Sequence, residues 1–381
     1  MATGSGSRLV IPQDLVPADG RFGCGPSKVP AAALHALAEV GPSLLGTSHR
    51  QAPVKQLVER VRSGISTLFD LPEGYEVALG NGGSTMFWDV ASLSLIERRS
   101  QHLVFGEFSS KFAAATTKAP FLEKPEIVES APGTHPSPLA SSDVDAYCLT
   151  HNETSTGVAM PVQRLGSQDQ LVLVDATSGA GGLPVDISQV DAYYFAPQKC
   201  FASEGGLWVA ILSPVAVERA MRIEGGQRWV PASLSLHLAL EASRQNQTIN
   251  TPAIATLFLL AHQVEWILEE GGLSWAVERS RRSAQTIYQW AEARPWASPF
   301  VPDPSQRSSV VATIDLASSI SANAVSAVLR DNGVVDTDSY RKLGRNQLRL
   351  GLFPAIEPHD VAQLTRSIDW VVEALDGVGA N

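Results

Sequence analysis

Residues 171–200 read LVLVDATSGAGGLPVDISQVDAYYFAPQKC. An apolar stretch, Leu171–Val174, ends in Asp175; a segment of small and turn-forming residues follows, then a second apolar stretch, Ala192–Phe195, and then Pro197-Gln198-Lys199. Short runs rich in Val, Tyr and Phe and bounded by Gly, Pro and Asp read as buried strands. Two neighbouring strands of that kind, each opening into a polar segment at its carboxyl end, are the mark of an α/β sheet whose ligand crevice lies beyond the strand ends.

Working outward, the same alternation continues on both sides. Pro53–Phe69 carries apolar residues at helical spacing with Pro in the first turn. Glu76–Leu79 is predicted as a strand and Met86–Ile96 as the helix after it, with further strands at His102–Phe105, Ala146–Thr150 and Leu207–Leu212. The polar segments GNGGST (80–85), HNET (151–154), DATSGAGG (175–182) and PQKC (197–200) would then meet at one end of a largely parallel sheet. Near Gly271–Gly272 the alternation stops. What remains reads as a smaller α+β unit, with helices near Trp275–Ala293 and Ala322–Asp331 and strands near Val310–Asp315 and Gln347–Gly351. The expected division is a large domain over 22–270 and a small one from 1–21 with 271–381. The Gly- and Ser-rich first residues are expected to fray.

Composition narrows the classes. With 381 residues, 44% hydrophobic and 18% charged, the chain has core enough for a folded protein of about two domains. A net charge of −10 argues against a nucleic-acid partner, which calls for a basic surface. Cys24, Cys148 and Cys200 are odd in number and widely spaced, which suggests neither a disulfide framework nor a metal site. Ile254–Ala261 is too short to span a bilayer, and the start MATGSGSRLVIPQ lacks a signal-peptide core, so the expectation is a cytoplasmic protein without a membrane role.

The Asp175/Lys199 pair has a chemical logic. Pyridoxal 5′-phosphate (PLP) needs a lysine to hold it as a Schiff base and move a proton, and a carboxylate against its ring nitrogen. The same pair also fits a strand-end Asp capping a turn and a solvated Lys. Gly80–Thr85 lets backbone N–H groups and a helix start approach a phosphate, with Ser84 and Thr85 adding hydroxyls, or is simply a turn with an N-cap. It is not a P-loop, since GK[ST] is missing. Asn152 and Thr154 could bond the cofactor's 3′ oxygen, and Phe108 could stack on its ring or serve as core.

Together FGCGPSKVP, TSHR (47–50), GNGGST, GEF, HNETSTG, VDATSG, PQK, NTP (250–252) and YRKLGRNQLRLG resemble the phosphoserine aminotransferase family, in the form common in high-GC Gram-positive bacteria, from about Gly23 to Gly351. The resemblance implies fold type I of PLP-dependent transferases: a large domain with a mostly parallel seven-stranded sheet and a small C-terminal domain. It also implies a homodimer with shared active sites. Lys199 matches the Schiff-base lysine, Asp175 the partner of the ring nitrogen, Gln198 with Ser84 and Thr85 the phosphate contacts, and Thr154 the contact to the 3′ oxygen. Asn250 and Thr251 match the pair that reaches the neighbouring subunit's cofactor phosphate. Phe108 stands where many members have tryptophan, and the segment between Arg341 and Arg349 is spaced differently from the family pattern.

The implied reaction moves an amino group from L-glutamate to 3-phosphohydroxypyruvate, in serine biosynthesis, with pyridoxine biosynthesis as a second setting. Its substrate is a phosphorylated 2-oxo acid with two anionic groups, and arginine forks are the usual answer to carboxylate and phosphate. Arg349 is assigned to the α-carboxylate, His49, Arg50 and Arg341 to the phosphate, with Arg345 in reserve; RKLGRNQLR also reads as a solvated hairpin. A serine– or alanine–glyoxylate aminotransferase of the same fold is the main alternative, and a non-catalytic binding protein the alternative from another class. A cysteine desulfurase is disfavoured because no cysteine follows Cys200.

Overall fold

The apolar stretches condense into strands of one sheet, and the amphipathic ones into helices on its two faces. The computed structural model describes residues 9–379; the expected fraying at the very start falls on residues outside these. In chain order the first half comprises α1 (Ala31–Leu44), α2 (Ala52–Leu68), β1 (Glu76–Gly82), α3 (Ser84–Ser94), β2 (Ser100–Val104), α4 (Glu107–Lys118), β3 (Glu126–Glu129), β4 (Ala146–Thr150), β5 (Asn152–Glu153) and β6 (Val158–Ala159). It continues with β7 (Leu171–Asp175), β8 (Ala192–Phe195), β9 (Gly206–Leu212), α5 (Pro214–Glu224), α6 (Leu236–Arg244) and α7 (Ile254–Glu270). The last part holds α8 (Gly272–Glu292), β10 (Ala297–Pro299), β11 (Val311–Leu316), α9 (Ala322–Asp331), β12 (Gln347–Gly351) and α10 (Pro358–Gly379).

Seven strands form the main sheet in the order β1-β9-β8-β7-β4-β2-β3. Only β9 runs against its neighbours; the other pairs are parallel. Because helices cover both faces, the central strands are buried at every position and read as continuous apolar runs. Their side chains still alternate. Val172 and Val174 face a cluster with Val58, Leu257 and Val264 of α2 and α7, while Leu171 and Leu173 face one with Phe87, Trp88 and Leu240 of α3 and α6. The outer edge of β1 is covered by α6, whose Ser243 hydroxyl accepts from the Leu79 N–H at 3.0 Å.

A second, three-stranded antiparallel sheet, β10-β11-β12, packs with α9, α10 and the later turns of α8 around Ile314, Leu350, Val325 and Ile368. Helix α8 belongs to both halves: Ala276 joins the cluster under the large sheet, Ala284 and Ile287 the other. It is set off from α7 by Gly271 and Gly272, whose φ values of 127° and 74° only glycine adopts readily.

Residues 20–28 form a strap between the two sheets. The Val335 N–H donates to the Gly20 carbonyl at 2.8 Å, the Gly351 N–H to that of Phe22 at 2.7 Å, and the Ser27 N–H to that of Gln198 at 2.7 Å. Phe22 itself sits in the core around β11 and β12. Among the described residues, no helix is long and apolar enough to cross a membrane.

Candidate active site

All four polar segments meet at the carboxyl ends of the strands. They line a cavity of about 190 Å³ with Ser84 and Thr85 from the start of α3, Asn152 and Thr154 from the β5–β6 hairpin, Asp175 and Thr177 after β7, and Gln198 and Lys199 after β8. Phe108, from the first turn of α4, closes one side. A larger cleft of about 590 Å³, lined by Glu97, Asp145 and Arg219, lies at the amino ends of the strands and contains no lysine.

Asp175 ends β7 and is 3% exposed. One oxygen accepts from the Thr177 N–H at 2.9 Å and from the Thr177 hydroxyl at 2.5 Å; the other accepts from the Trp88 indole N–H at 2.8 Å. Burial pushes its carboxyl above the usual range, against the downward pull of the Thr177 and Trp88 hydrogen bonds and the Lys199 charge. Lys199 is walled in by protein although its tip opens to the cavity, and burial lowers its amine to about 8. The amine donates to the Cys24 carbonyl of the strap at 2.6 Å. Gly25 makes that approach possible: a Cβ there would lie 1.7 Å from the lysine nitrogen.

Several polar atoms around the cavity are buried without a partner, namely the Ser84 hydroxyl, Gln198 Oε1 and Asn152 Oδ1. Buried polar groups are normally satisfied, so these mark where a polar ligand belongs. The Thr154 hydroxyl lies 2.7 Å from that of Ser178. From the second sheet Arg349 reaches in from β12: it donates to the Thr154 carbonyl at 3.3 Å, stacks on the Tyr340 ring at 5.3 Å and leaves a buried Nε unpartnered.

The remaining expected residues stand apart. His49 Nδ1 lies 3.0 Å from the Thr251 hydroxyl, Asn81 donates to the Thr251 carbonyl at 3.1 Å, and Arg50 donates to Gln247 at 3.1 Å. This second group, with Asn250 beside it on the exposed turn, does not line the Lys199 cavity of its own chain. The arginines of RKLGRNQLR do not act as one cluster. Arg345 is held by both oxygens of Asp315 and stacks on Phe300, Arg341 is exposed in the turn 341–343, and only Arg349 bonds a residue of the site, through the Thr154 carbonyl.

Sequence reading passed over Trp88 and Thr177, the donors that hold Asp175. Trp88 falls unremarked within the helix expected over Met86–Ile96. The clue was an aromatic with an N–H one turn after the phosphate loop, since a buried indole seeks an acceptor.

The profile of the family described as Aminotransferase class-V matches residues 22–337, from the strap to the turn before β12. A phosphoserine aminotransferase from a Nocardioides species is 60% identical over 370 residues, covering 96% of this chain and 99% of that one. The chain is a class-V aminotransferase of the phosphoserine aminotransferase family. Among solved structures, this aminotransferase resembles the phosphoserine aminotransferase of Cytophaga hutchinsonii, with a TM-score of 0.86 at 26% identity over 92% of this chain and 98% of that one. The PLP-bound phosphoserine aminotransferase of Trichomonas vaginalis shares the fold, with a TM-score of 0.77 at 17% identity over 92% and 99% of the two chains. The aminotransferase's cofactor is PLP, and its cavity fits that group: a buried amine, a buried carboxylate clasped by neutral donors, an unsatisfied hydroxyl at a helix start and the unsatisfied amides of Asn152 and Gln198.

Proposed function

We propose that the chain transfers the amino group of L-glutamate to 3-phosphohydroxypyruvate, giving O-phospho-L-serine and 2-oxoglutarate. The observation that carries this reading is the single cavity shared by Lys199 and Asp175, with Arg349 of the second sheet beside it, bonded to the Thr154 carbonyl. When bound, PLP supplies an electron-withdrawing ring that accommodates the charge left at the substrate Cα. The chain's residues do the rest. Asp175, held by Thr177 and Trp88, keeps a proton on the ring nitrogen. The amine of Lys199, lowered to about 8, takes the Cα proton in its neutral form and returns it.

In this reading Ser84, Thr85 and Gln198 bind the cofactor phosphate, Thr154 its 3′ oxygen, and Phe108 its ring face. Arg349, with a free Nε–H, takes the α-carboxylate shared by both substrates. The phosphate goes to His49, Arg50 and Arg341. Because His49 and Arg50 lie away from the cavity of their own chain, they serve the partner's site in a homodimer, as do Asn250 and Thr251. The large and small domains of this arrangement are residues 22–270 and residues 1–21 with 271–381. The setting is serine biosynthesis in the cytoplasm, with a related phosphorylated keto acid of pyridoxine synthesis as a further substrate.

A spectral titration of the PLP-loaded protein tests the assignment. L-Glutamate should convert the PLP–lysine absorbance to that of the aminated cofactor, and 3-phosphohydroxypyruvate should restore it. Conversion without restoration would remove the phosphorylated substrate and leave an aminotransferase of other specificity. Lys199→Ala should lose both the absorbance and turnover.

A further inference from the structure

Glu153 takes no part in the chemistry above, yet it is the most completely buried acid beside the cavity, at 0% exposure. Its carboxylate accepts from the N–H groups of Phe108 at 3.1 Å, Ser109 at 2.9 Å and Ser155 at 3.2 Å, and from the hydroxyls of Ser109 at 2.9 Å and Ser155 at 2.7 Å. All of these donors are uncharged, and backbone N–H groups cannot turn to accept, so the site calls for an acceptor at every position. The preceding loop leaves room for it: a Cβ on Gly106 would lie 2.3 Å from Glu153 Cγ.

A helix start is ordinarily capped by a residue just before it. The first turn of α4 instead takes its carboxylate from the β5–β6 hairpin, 45 residues away from Phe108. Burying a charge without an opposite charge is costly, and a fold needing only a cap would use Ser or Asp from the adjacent loop. What this connection adds is a fixed distance between two walls of one cavity. Phe108 is bonded to Glu153 through its own N–H, and Thr154 is the next residue along the hairpin.

We propose that Glu153 is a positioning residue that locks Phe108 and Thr154 relative to each other and thereby sets how tightly the cavity holds PLP. The inference rests on the assignment of this cavity to PLP. Burial pushes its carboxyl upward while the serine and backbone donors hold it down, in keeping with an acceptor matched to its donors.

The test is Glu153→Gln, which keeps the size but turns an NH2 group toward fixed N–H donors. The apparent Kd for PLP should rise at least about tenfold, as expected for loss of a charged hydrogen bond. The circular dichroism of the bound cofactor should change with it, while the far-UV spectrum of the unliganded protein stays that of wild type. Ser155→Ala should move the same readings in the same direction by less, and serves if Glu153→Gln does not fold. A double-mutant cycle decides the route. In a Phe108→Ala, Thr154→Ala background, the effect of Glu153→Gln on PLP affinity should largely vanish. An undiminished factor there, or wild-type PLP affinity in Glu153→Gln, overturns the proposal. If wild type itself captured no PLP, the cofactor assignment would fall first, and the variants would not differ from it.

Discussion

In the proposed reaction Lys199 moves the proton, and burial suits it to that role by lowering its amine to about 8, so that it is half neutral at that pH. Only the neutral amine attacks a carbonyl. The rate of covalent capture of added PLP should therefore fall about tenfold per pH unit below about 8 and level off above it, as stopped-flow absorbance would show. A rate still climbing at pH 10 would mean an ordinary, unperturbed lysine. Gly25 is the second sensitive point. Gly25→Ala places a methyl 1.7 Å from the lysine nitrogen, and its φ of 146° suits glycine alone. The variant should fold yet fail to form the PLP–lysine absorbance. That Lys199, Asp175 and the Gly80–Thr85 segment share one cavity was readable from the sequence, because residue type and strand order together single them out. Trp88 was not, because its role depends on which face of α3 looks toward β7, a tertiary fact that periodicity alone does not supply.

At the level of elements, the strands on either side of Asp175 and Lys199 were legible, since strands buried on both faces carry an unbroken apolar run. The β5–β6 hairpin was not, although its residues were singled out: strands of two residues have no periodicity to read. The arginine segment misled for a different reason. A run of like charges says nothing about partners, and Asp315, which claims Arg345, lies on a strand that comes 30 residues earlier. Strand β2 hides a further consequence. His102 is buried against Phe112 with its ring nitrogen 3.0 Å from the Ser100 hydroxyl, and burial lowers it to about 3. The unfolded chain takes up a proton near pH 6.5 but the folded one does not, so stability is lost as pH falls from about 6.5 toward 3. The loss amounts to at most roughly 5 kcal/mol from this one group. His102→Gln should flatten the acid limb of a urea-unfolding profile measured between pH 4 and 7, even if it lowers stability at neutral pH.

On the scale of the whole molecule, the candidate site residues fall into two groups that do not meet within one chain; the family resemblance implies this for Asn250 and Thr251, but nothing in the TSHR segment says that His49 and Arg50 lie with them. If the groups meet across a two-fold axis, Lys199→Ala and Arg50→Ala proteins, each weakly active or inactive alone, should complement each other. Refolded together in equal amounts, they should recover about a quarter of wild-type activity, since half the dimers are mixed and each has one complete site. No recovery would mean that Arg50 and Lys199 do not meet across the two-fold axis. The strap of residues 20–28 carries a different consequence, for the order in which the molecule is made. Its Cys24 carbonyl faces Lys199, but its backbone is anchored by Val335 and Gly351. A chain still emerging from the ribosome, with the whole large sheet already synthesised, would lack those anchors. The carbonyl that meets the lysine amine is thus fixed in place only once residues 335–351 have been made, well after the strands that carry Asp175 and Lys199, so the lysine reaches its final setting later than the sheet around it.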